Sequence, residues 1–237
     1  MQLFYNPDIS ESTNEITFDK EESRHIVKVL RMQNGDVFKI TNGKGSFFKA
    51  EITSANPKAC MVKILSEEFQ HPLPYQLHLV VAPTKLNDRD EWFLEKATEI
   101  GVTEITPIIC DHSERKKIKP ERYEKILQSA MKQSLKAYLP VLNEAISFKE
   151  FINSKKTSTD LKLIAHCEET DKKTLKSVLL PNKKLTILIG PEGDFSSEEI
   201  KLAKNANFIP VTLGESRLRT ETAAVVACHS VAFINEL

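Results

Sequence analysis

The stretch Thr186-Ile187-Leu188-Ile189-Gly190-Pro191-Glu192-Gly193 decides the fold of the larger part of this 237-residue chain. Its first four residues form a continuous apolar run, which is typical of a strand buried on both faces of a parallel sheet. The run stops at two glycines around Pro191-Glu192, where the backbone can approach a ligand closely. Because ligands bind beyond the carboxyl ends of strands in open α/β sheets, we predict a binding loop at residues 190–193.

This loop has two other interpretations. Phosphate binding is one, although the loop has neither a Walker lysine followed by Ser or Thr nor a G-x-G-x-x-G pattern. A plain strand-to-helix turn is the other, since Ser196 and Glu199 have the spacing of a capping box that begins the next helix. The loop sequence alone leaves all three interpretations open.

A second loop follows the apolar run at 211–213 and carries polar residues through 214–222. The next twelve residues, AAVVACHSVAFI, are apolar on nearly every face, so their helix must be buried in the core or against a second subunit. Arg217, Arg219 and Glu221 stand at the entrance to this helix, where their charges are costly. A functional role is therefore favoured over a structural ion-pair cluster.

Apolar strands alternate with helices from residue 77 onwards, which predicts an α/β fold with a largely parallel sheet covered by helices. The stiff segment His71-Pro72-Leu73-Pro74 marks a boundary between domains at 1–72 and 73–237. The elements predicted in the larger domain are strand 77–82, helix 88–100, strand 104–109, helix 120–138, strand 161–165, strand 185–189, helix 197–204, strand 209–213 and helix 222–234.

The smaller domain contains short β-patterned runs separated by turn signals, which predict a small β-barrel or meander. One helix interrupts the pattern, with Asp19 as its N-cap and Glu22 three residues on. Ile26, Val29 and Leu30 are expected to form its apolar stripe. The predicted strands lie at 37–41, 47–53 and 60–65.

Charge gives no general case for nucleic acid as a partner, because 33 Lys and Arg balance 33 Asp and Glu. A local excess occurs at 111–140, where eight cations stand against four acids. These cations are either candidate phosphate contacts or an ordinary solvated helix face with a flexible loop.

Cysteine spacing and hydropathy indicate the compartment. The four cysteines are widely separated, without a CxxC pair or a histidine at metal-ligand spacing, so we expect neither a metal site nor disulfides. The start, MQLFYNPDIS, lacks the features of a signal peptide, and no apolar segment approaches the roughly 18 residues that span a bilayer. We expect a cytoplasmic protein that does not enter a membrane.

The motifs on the two loops resemble those of the RsmE family, the bacterial 16S ribosomal RNA uridine-N3 methyltransferases of the SPOUT class. The resemblance covers essentially the whole chain, and its most specific parts are GPEG at 190–193 and LRTETA at 218–223. Other matching positions are Arg24-His25, Val29-Leu30-Arg31-Met32, Glu91-Trp92-Phe93, Lys96-Ala97-Thr98-Glu99-Ile100-Gly101-Val102 and Gln133.

The resemblance implies a PUA-like β-barrel domain that binds RNA at 1–72, a SPOUT domain with a deep trefoil knot at 73–237, and a homodimer. It implies S-adenosylmethionine (AdoMet) as cofactor, and as target N3 of uridine 1498 in the 16S ribosomal RNA of the small ribosomal subunit. The implied cofactor contacts are Ala165, His166, Ile189, Gly190, Pro191, Glu192, Gly193, Leu213, Gly214, Arg217 and Leu218. Many relatives have a second glycine where this chain has Asp194, so we expect Gly193 rather than Asp194 to contact the cofactor.

The chemistry assigns roles at the second loop. Methylation of uracil N3 leaves negative charge on O2 and O4, so the site needs a proton acceptor or cationic donors. Arg219 is expected to stabilise this anion, reinforced by the dipole of the helix that begins near Thr222. Glu221 is expected to be either the base or a group that orients Arg219.

Candidate RNA contacts lie on both predicted domains. An ordinary surface role is the alternative for the cations, and a position at the edge of an apolar helix stripe is the alternative for Gln133. Lys96, for example, could form salt bridges with Glu95 and Glu99 on a solvated helix face. Gln133 is a candidate for holding the target base or a partner subunit. The candidates are Arg24, Lys28, Arg31, Arg89, Lys96 and Gln133.

Other expectations concern packing and the competing functions. Trp92, Phe93, Ala97 and Ile100 have the spacing of a buried helix stripe, and we expect them in the core. The competing functions are methylation of another RNA, such as transfer RNA, and a non-catalytic role as an RNA-binding ribosome assembly factor. Intact GPEG and LRTETA loops argue against the latter, and titration with AdoMet would separate it from an enzyme.

Overall fold

The computed structural model describes residues 2–154, 159–169 and 171–236. It divides the chain into two compact units. The first unit comprises Met1–Pro72 and Met131–Leu139, and the second unit comprises Leu73–Ala130 and Pro140–Leu237. The first division therefore falls after Pro72, and the short segment Met131–Leu139 belongs with the first unit.

The first unit is built on a five-stranded mixed sheet that curls in a PUA-like half-barrel, as the resemblance implies. The sheet order is β1-β3-β4-β5-β2, with β1 parallel to β3 and the other pairs antiparallel. Phe4, Ile26, Phe38, Ile40 and Phe48 belong to its core. The strands are β1 (Leu3–Tyr5), β2 (Glu15–Thr17), β3 (Val37–Thr41), β4 (Ser46–Ser54) and β5 (Met61–Phe69).

Helix α1 (Lys20–Arg24) begins as predicted, because the Asp19 carboxylate accepts a hydrogen bond of 2.8 Å from the Glu22 amide. It continues into a π-helical turn at His25–Val29. Ile26 is buried, whereas Val29 is 66% exposed, so the expected apolar stripe is wrong at Val29. The wider π turn changes the angle between successive side chains and moves Val29 off the core face.

The second unit contains an all-parallel eight-stranded sheet, which confirms the predicted α/β class. Its order is β11-β13-β10-β12-β6-β7-β8, and β9 pairs with β7 outside this path. The strands are β6 (Gln76–Val81), β7 (Glu104–Ile109), β8 (Val141–Leu142), β9 (Ile146–Ser147), β10 (Leu161–Ala165), β11 (Lys173–Thr174), β12 (Lys184–Ile189) and β13 (Ile209–Thr212).

Helices cover both faces of this sheet. Val80 and Leu188 pack on one side in a cluster that includes residues of α4 and α6, while the alternate residues Leu79 and Ile187 are equally buried on the other. On that other side, α7 packs against α2, β6 and β12. The helices that follow β6 along the chain are α2 (Asn87–Ile100), α3 (Pro120–Gln133), α4 (Phe148–Asn153), α5 (Leu175–Val178), α6 (Ser197–Asn205) and α7 (Thr220–Asn235).

Strand β12 lies between β10 and β6, and all residues from Leu185 to Ile189 are buried, as the apolar run predicts. Ala165 at the end of β10 pairs with Ile189 and with Val211 of β13. The chain therefore leaves β10, β12 and β13 at the same edge of the sheet, and the loops that follow these strands meet there.

Three expectations about helices are wrong. Helix α3 ends at Gln133 instead of residue 138, because Leu135 adopts a φ of +55°, outside the helical region. Helix α7 begins at Thr220, two residues earlier than predicted. Trp92 is 45% exposed, whereas Phe93 and Ala97 of the same predicted stripe are buried.

The trefoil knot that the resemblance implies stays a prediction. Among the described residues, no helix is long and apolar enough to cross a membrane.

Candidate functional site

Three loops at the edge where β10, β12 and β13 end line a cleft of about 740 Å³. They are the segment after β10, the GPEG loop after β12, and the segment that joins β13 to α7. The predicted site residues in its wall are Ala165, His166, Ile189, Gly190, Pro191, Glu192, Leu213, Gly214, Arg217, Leu218 and Arg219.

Thr220, the first residue of α7, connects two of these loops. Its hydroxyl donates a buried hydrogen bond of 3.0 Å to the carbonyl of Gly190, thirty residues away in the sequence. Gly190 itself is held close to Phe195, since a Cβ at this position would lie 3.1 Å from the phenylalanine ring. The GPEG loop and the start of α7 are therefore held together by this hydrogen bond.

Asp194 lines the cleft and Gly193 does not, and the expectation that Gly193 contacts the cofactor stays a prediction. Asp194 has a φ of +63°, and its carboxylate accepts hydrogen bonds from the amides of Cys167, at 2.7 Å, and Phe195, at 2.9 Å. This left-handed backbone is the conformation that favours glycine, and aspartate tolerates it. Gly193 instead packs against His112, whose Nδ1 donates to its carbonyl at 3.0 Å.

The sequence missed several residues of the cleft. Glu168 and Lys172 follow β10, and Thr220 begins α7, at the edge where the predicted loops converge. The position of β10 beside β12 would have indicated the first two, but strand order is not readable from local pattern. Thr220 lies inside the matched LRTETA motif, which was the available signal.

His166 is buried in the cleft wall, with 6% of its surface exposed, and neither ring nitrogen has a hydrogen-bond partner among the described residues. Burial lowers the pKa of His166 below its ordinary value of 6.5, and the charge of Lys172 lowers it further. The Lys172 ammonium donates to the His166 carbonyl at 3.1 Å. The imidazole is therefore neutral at pH 7.

Arg219 occupies the N-cap of α7, where its side chain makes no capping hydrogen bond. Glu221, two residues further on, is 6% exposed and does not line the cleft. Its Oε1 lies 3.7 Å from Nε of Arg89, while Oε2 has no hydrogen-bond partner among the described residues. The structure therefore pairs Glu221 with Arg89 of α2.

The predicted RNA contacts lie in different surroundings. Arg24, Lys28, Arg31 and Gln133 are exposed on the first unit. Lys96, on the second unit, forms the salt-bridged face given as its alternative. Its ammonium lies 2.6 Å from a Glu95 oxygen and 3.0 Å from a Glu99 oxygen, and its pKa is raised by these hydrogen bonds.

Comparison with known proteins assigns the family. Residues 71–232 match the model of the RNA methyltransferase domain, and residues 18–65 match that of the RNA methyltransferase PUA domain. A ribosomal RNA small subunit methyltransferase E from Buchnera aphidicola is 33% identical over 222 residues, which cover 90% of this chain and 86% of the relative. The chain belongs to the ribosomal RNA small subunit methyltransferase E family.

Solved structures agree with this family. A probable rRNA-methyltransferase from Porphyromonas gingivalis is 44% identical with a TM-score of 0.90, covering 99% of this chain and 98% of that one. The methyltransferase E from Neisseria gonorrhoeae, bound to S-adenosyl methionine, is 28% identical with a TM-score of 0.89, covering 99% and 98%. The family fold therefore extends over both units of this chain.

Thr220→Val tests the connection between the two loops of this methyltransferase E family member. The variant keeps the side-chain shape but leaves the buried Gly190 carbonyl without its donor, which we expect to cost about 1–3 kcal/mol of unfolding free energy. Thr220→Ser keeps the hydroxyl and serves as the control. Urea denaturation gives both values, and equal stabilities for the two variants would contradict the role of this hydrogen bond.

His166 makes the stability depend on pH. Its pKa is lower in the folded chain than the ordinary 6.5, so the unfolded chain binds the proton more readily. Stability is therefore full above about pH 6.5 and falls as the pH drops towards the folded-state pKa, by up to about 1.4 kcal/mol per pH unit. His166→Gln should flatten this slope in denaturation series between pH 5 and 7, and an unchanged slope in this variant would contradict the role given to His166.

Proposed function

We propose that this chain is an AdoMet-dependent methyltransferase that modifies N3 of a uridine, uridine 1498, in the 16S ribosomal RNA of the small subunit. The observation that carries the proposal is the cleft at the strand ends, with Arg219 at the N-terminus of α7 in its wall. Membership of the methyltransferase E family and the AdoMet-bound structure of a relative support the same cofactor and RNA.

The cleft fits AdoMet in size and chemistry. Its volume, about 740 Å³, lies within the range of small-molecule sites, roughly 300–1,000 Å³. Gly214 has a φ of +136° and open space around the position of a Cβ, so the backbone there is accessible to a ligand. The carboxylates of Glu192 and Asp194 suit a ligand with cationic groups, and Ile189 and Leu213 offer apolar surface.

The reaction places negative charge near Arg219, because the target uracil releases its N3 proton to solvent before N3 takes the methyl group. AdoMet, when bound, supplies an electrophilic methyl group. The Arg219 guanidinium and the N-terminus of α7 are both positive, so together they stabilise charge that develops on O2 and O4 of the target uracil. Arginine is a poor N-cap and is repelled by the helix dipole, so Arg219 lowers the stability of α7. A catalytic role explains why an arginine stands at this position.

Glu221 acts as a positioning residue in this proposal. It is buried behind the cleft wall and pairs with Arg89, so it is not placed to take a proton from a base within the cleft. Its charge instead holds Arg89, on α2, in a fixed position. The two roles expected for Glu221 were the base and the group that orients Arg219, whereas its observed contact favours a third role, the positioning of Arg89.

RNA binding and dimerisation complete the proposal. The exposed cations Arg24, Lys28 and Arg31 of the first unit would contact phosphates, and Gln133 would contact RNA or a partner subunit. Helix α7 is mostly apolar, yet its Phe233 is 66% exposed. Such a surface is typical of an interface, and we assign it to a homodimer.

Arg219→Asn separates chemistry from stability. We expect methylation to fall about 100-fold or more, as for the loss of a donor to a developing anion, with AdoMet affinity unchanged. Asparagine is a good N-cap, so the unfolding free energy should rise by about 0.5–2 kcal/mol. Lys201→Asn, an exposed cation on α6, is the charge-matched control for both measurements.

A variant at Arg219 that keeps full methylation would remove this residue from the mechanism. The substrate is tested by incubating the protein with AdoMet and unmodified small subunits, and mapping methylated nucleosides by mass spectrometry. We expect N3-methyluridine in 16S ribosomal RNA. Another modified base, or methylation of transfer RNA alone, would overturn the substrate assignment, and no binding of AdoMet would favour an assembly factor.

A further inference from the structure

Arg115 lies in the basic segment 111–140, where the sequence offers it as a candidate phosphate contact. Its side chain is only 18% exposed, however, and its donors point into the protein. Nη2 donates to the Lys85 carbonyl at 2.8 Å, and Nη1 donates to Asp90 Oδ2 at 3.3 Å and to the side chain of Asn87. The guanidinium therefore holds the loop between β6 and α2 instead of facing solvent.

Asp90 is the centre of this arrangement. It is 4% exposed, and its Oδ1 accepts two hydrogen bonds of 2.8 Å, from the amide and the hydroxyl of Thr84. Its Oδ2 accepts a hydrogen bond of 2.7 Å from the Tyr123 hydroxyl, in addition to that from Arg115. A buried carboxylate with this many donors holds its neighbours rigidly, because each lost donor would leave buried charge uncompensated.

The backbone of Lys85 connects Arg115 to the cleft. Its carbonyl is held by Arg115, and its amide donates a hydrogen bond of 3.0 Å to Oε1 of Glu192. Glu192 belongs to the GPEG loop and lines the cleft. A continuous set of hydrogen bonds thus runs from Arg115 through one backbone residue to a side chain of the proposed cofactor site.

We propose that Arg115 is a positioning residue for the GPEG loop, acting through Lys85 on Glu192; its effect on AdoMet rests on the proposed function. Arg115 uses two guanidinium nitrogens on different acceptors, a geometry that lysine cannot reproduce. The cation in this position serves the cofactor side of the enzyme and not RNA.

Calorimetric titration with AdoMet tests this role. Arg115→Ala and Arg115→Lys should both weaken AdoMet binding about tenfold. Lysine keeps the positive charge but lacks the planar guanidinium, so it does not restore the contacts. The matched control is Lys116→Ala, which removes the neighbouring exposed cation and should leave AdoMet affinity within about twofold. Unchanged AdoMet affinity with weakened RNA binding in Arg115→Ala would overturn the proposal in favour of a phosphate contact.

A double-mutant cycle shows whether Arg115 acts through Glu192. If it does, Arg115→Ala should have little further effect on AdoMet affinity in a Glu192→Ala background, since the connection is already cut. Full additivity of the two losses would contradict the route through Glu192.

Hydrogen exchange separates this proposal from the assignment of AdoMet. In the ligand-free full chain, the amides of residues 190 and 192–195 should exchange about tenfold faster in Arg115→Lys than in the wild type, and no faster in Lys116→Ala. This result needs no cofactor, so it stands if the cleft binds another ligand. Unchanged exchange of these amides in Arg115→Lys would overturn the proposal. Because this measurement uses Arg115→Lys, it can be made even if Arg115→Ala does not fold.

Discussion

The hydrogen bond from the Thr220 hydroxyl to the Gly190 carbonyl joins two loops that lie thirty residues apart in the sequence. It forms because β12 and β13 are both parallel to β10 and end level with Ala165, so that the start of α7 returns to the GPEG loop. A buried carbonyl must have a donor, and this one obtains it from the first residue of α7. The cleft exists because these two loops are held together.

The other loops at this edge are connected in the same manner, by a side chain of one loop and the backbone of the next. Asp194 accepts from the Cys167 amide, which connects the GPEG loop to the segment after β10. Glu192 accepts from the Lys85 amide, which connects it to the loop after β6. The GPEG loop is thus fixed from three sides, and the backbone that a ligand would meet is ordered before the ligand arrives. Preorganisation of this kind lowers the entropy that binding costs.

The local sequence predicts the elements around the site well, and the long-range contacts poorly. The apolar run at β12 and the Ser196–Glu199 capping box are confirmed, because each depends on neighbours in the sequence. Val29 and Trp92 were predicted to be buried, but both are exposed. The π-helical turn moves Val29 away from the core, and the packing of α2 within this chain leaves Trp92 facing solvent. The contacts of Asp194 were not predicted, because they depend on Cys167, whose position follows from strand order. For the same reason, neither Thr220 nor Lys85 was identified as a connecting residue.

The most direct test of this account is hydrogen exchange of the full chain with and without AdoMet. Backbone amides in the three loops that line the cleft, at 166–168, 190–194 and 213–220, should be protected on binding, because the cofactor would contact loops that are already connected. Amides in β3 and β4 of the first unit should exchange at the same rate in both states. Absence of protection in the three loops, or protection confined to the first unit, would contradict the assignment of the cleft as the cofactor site.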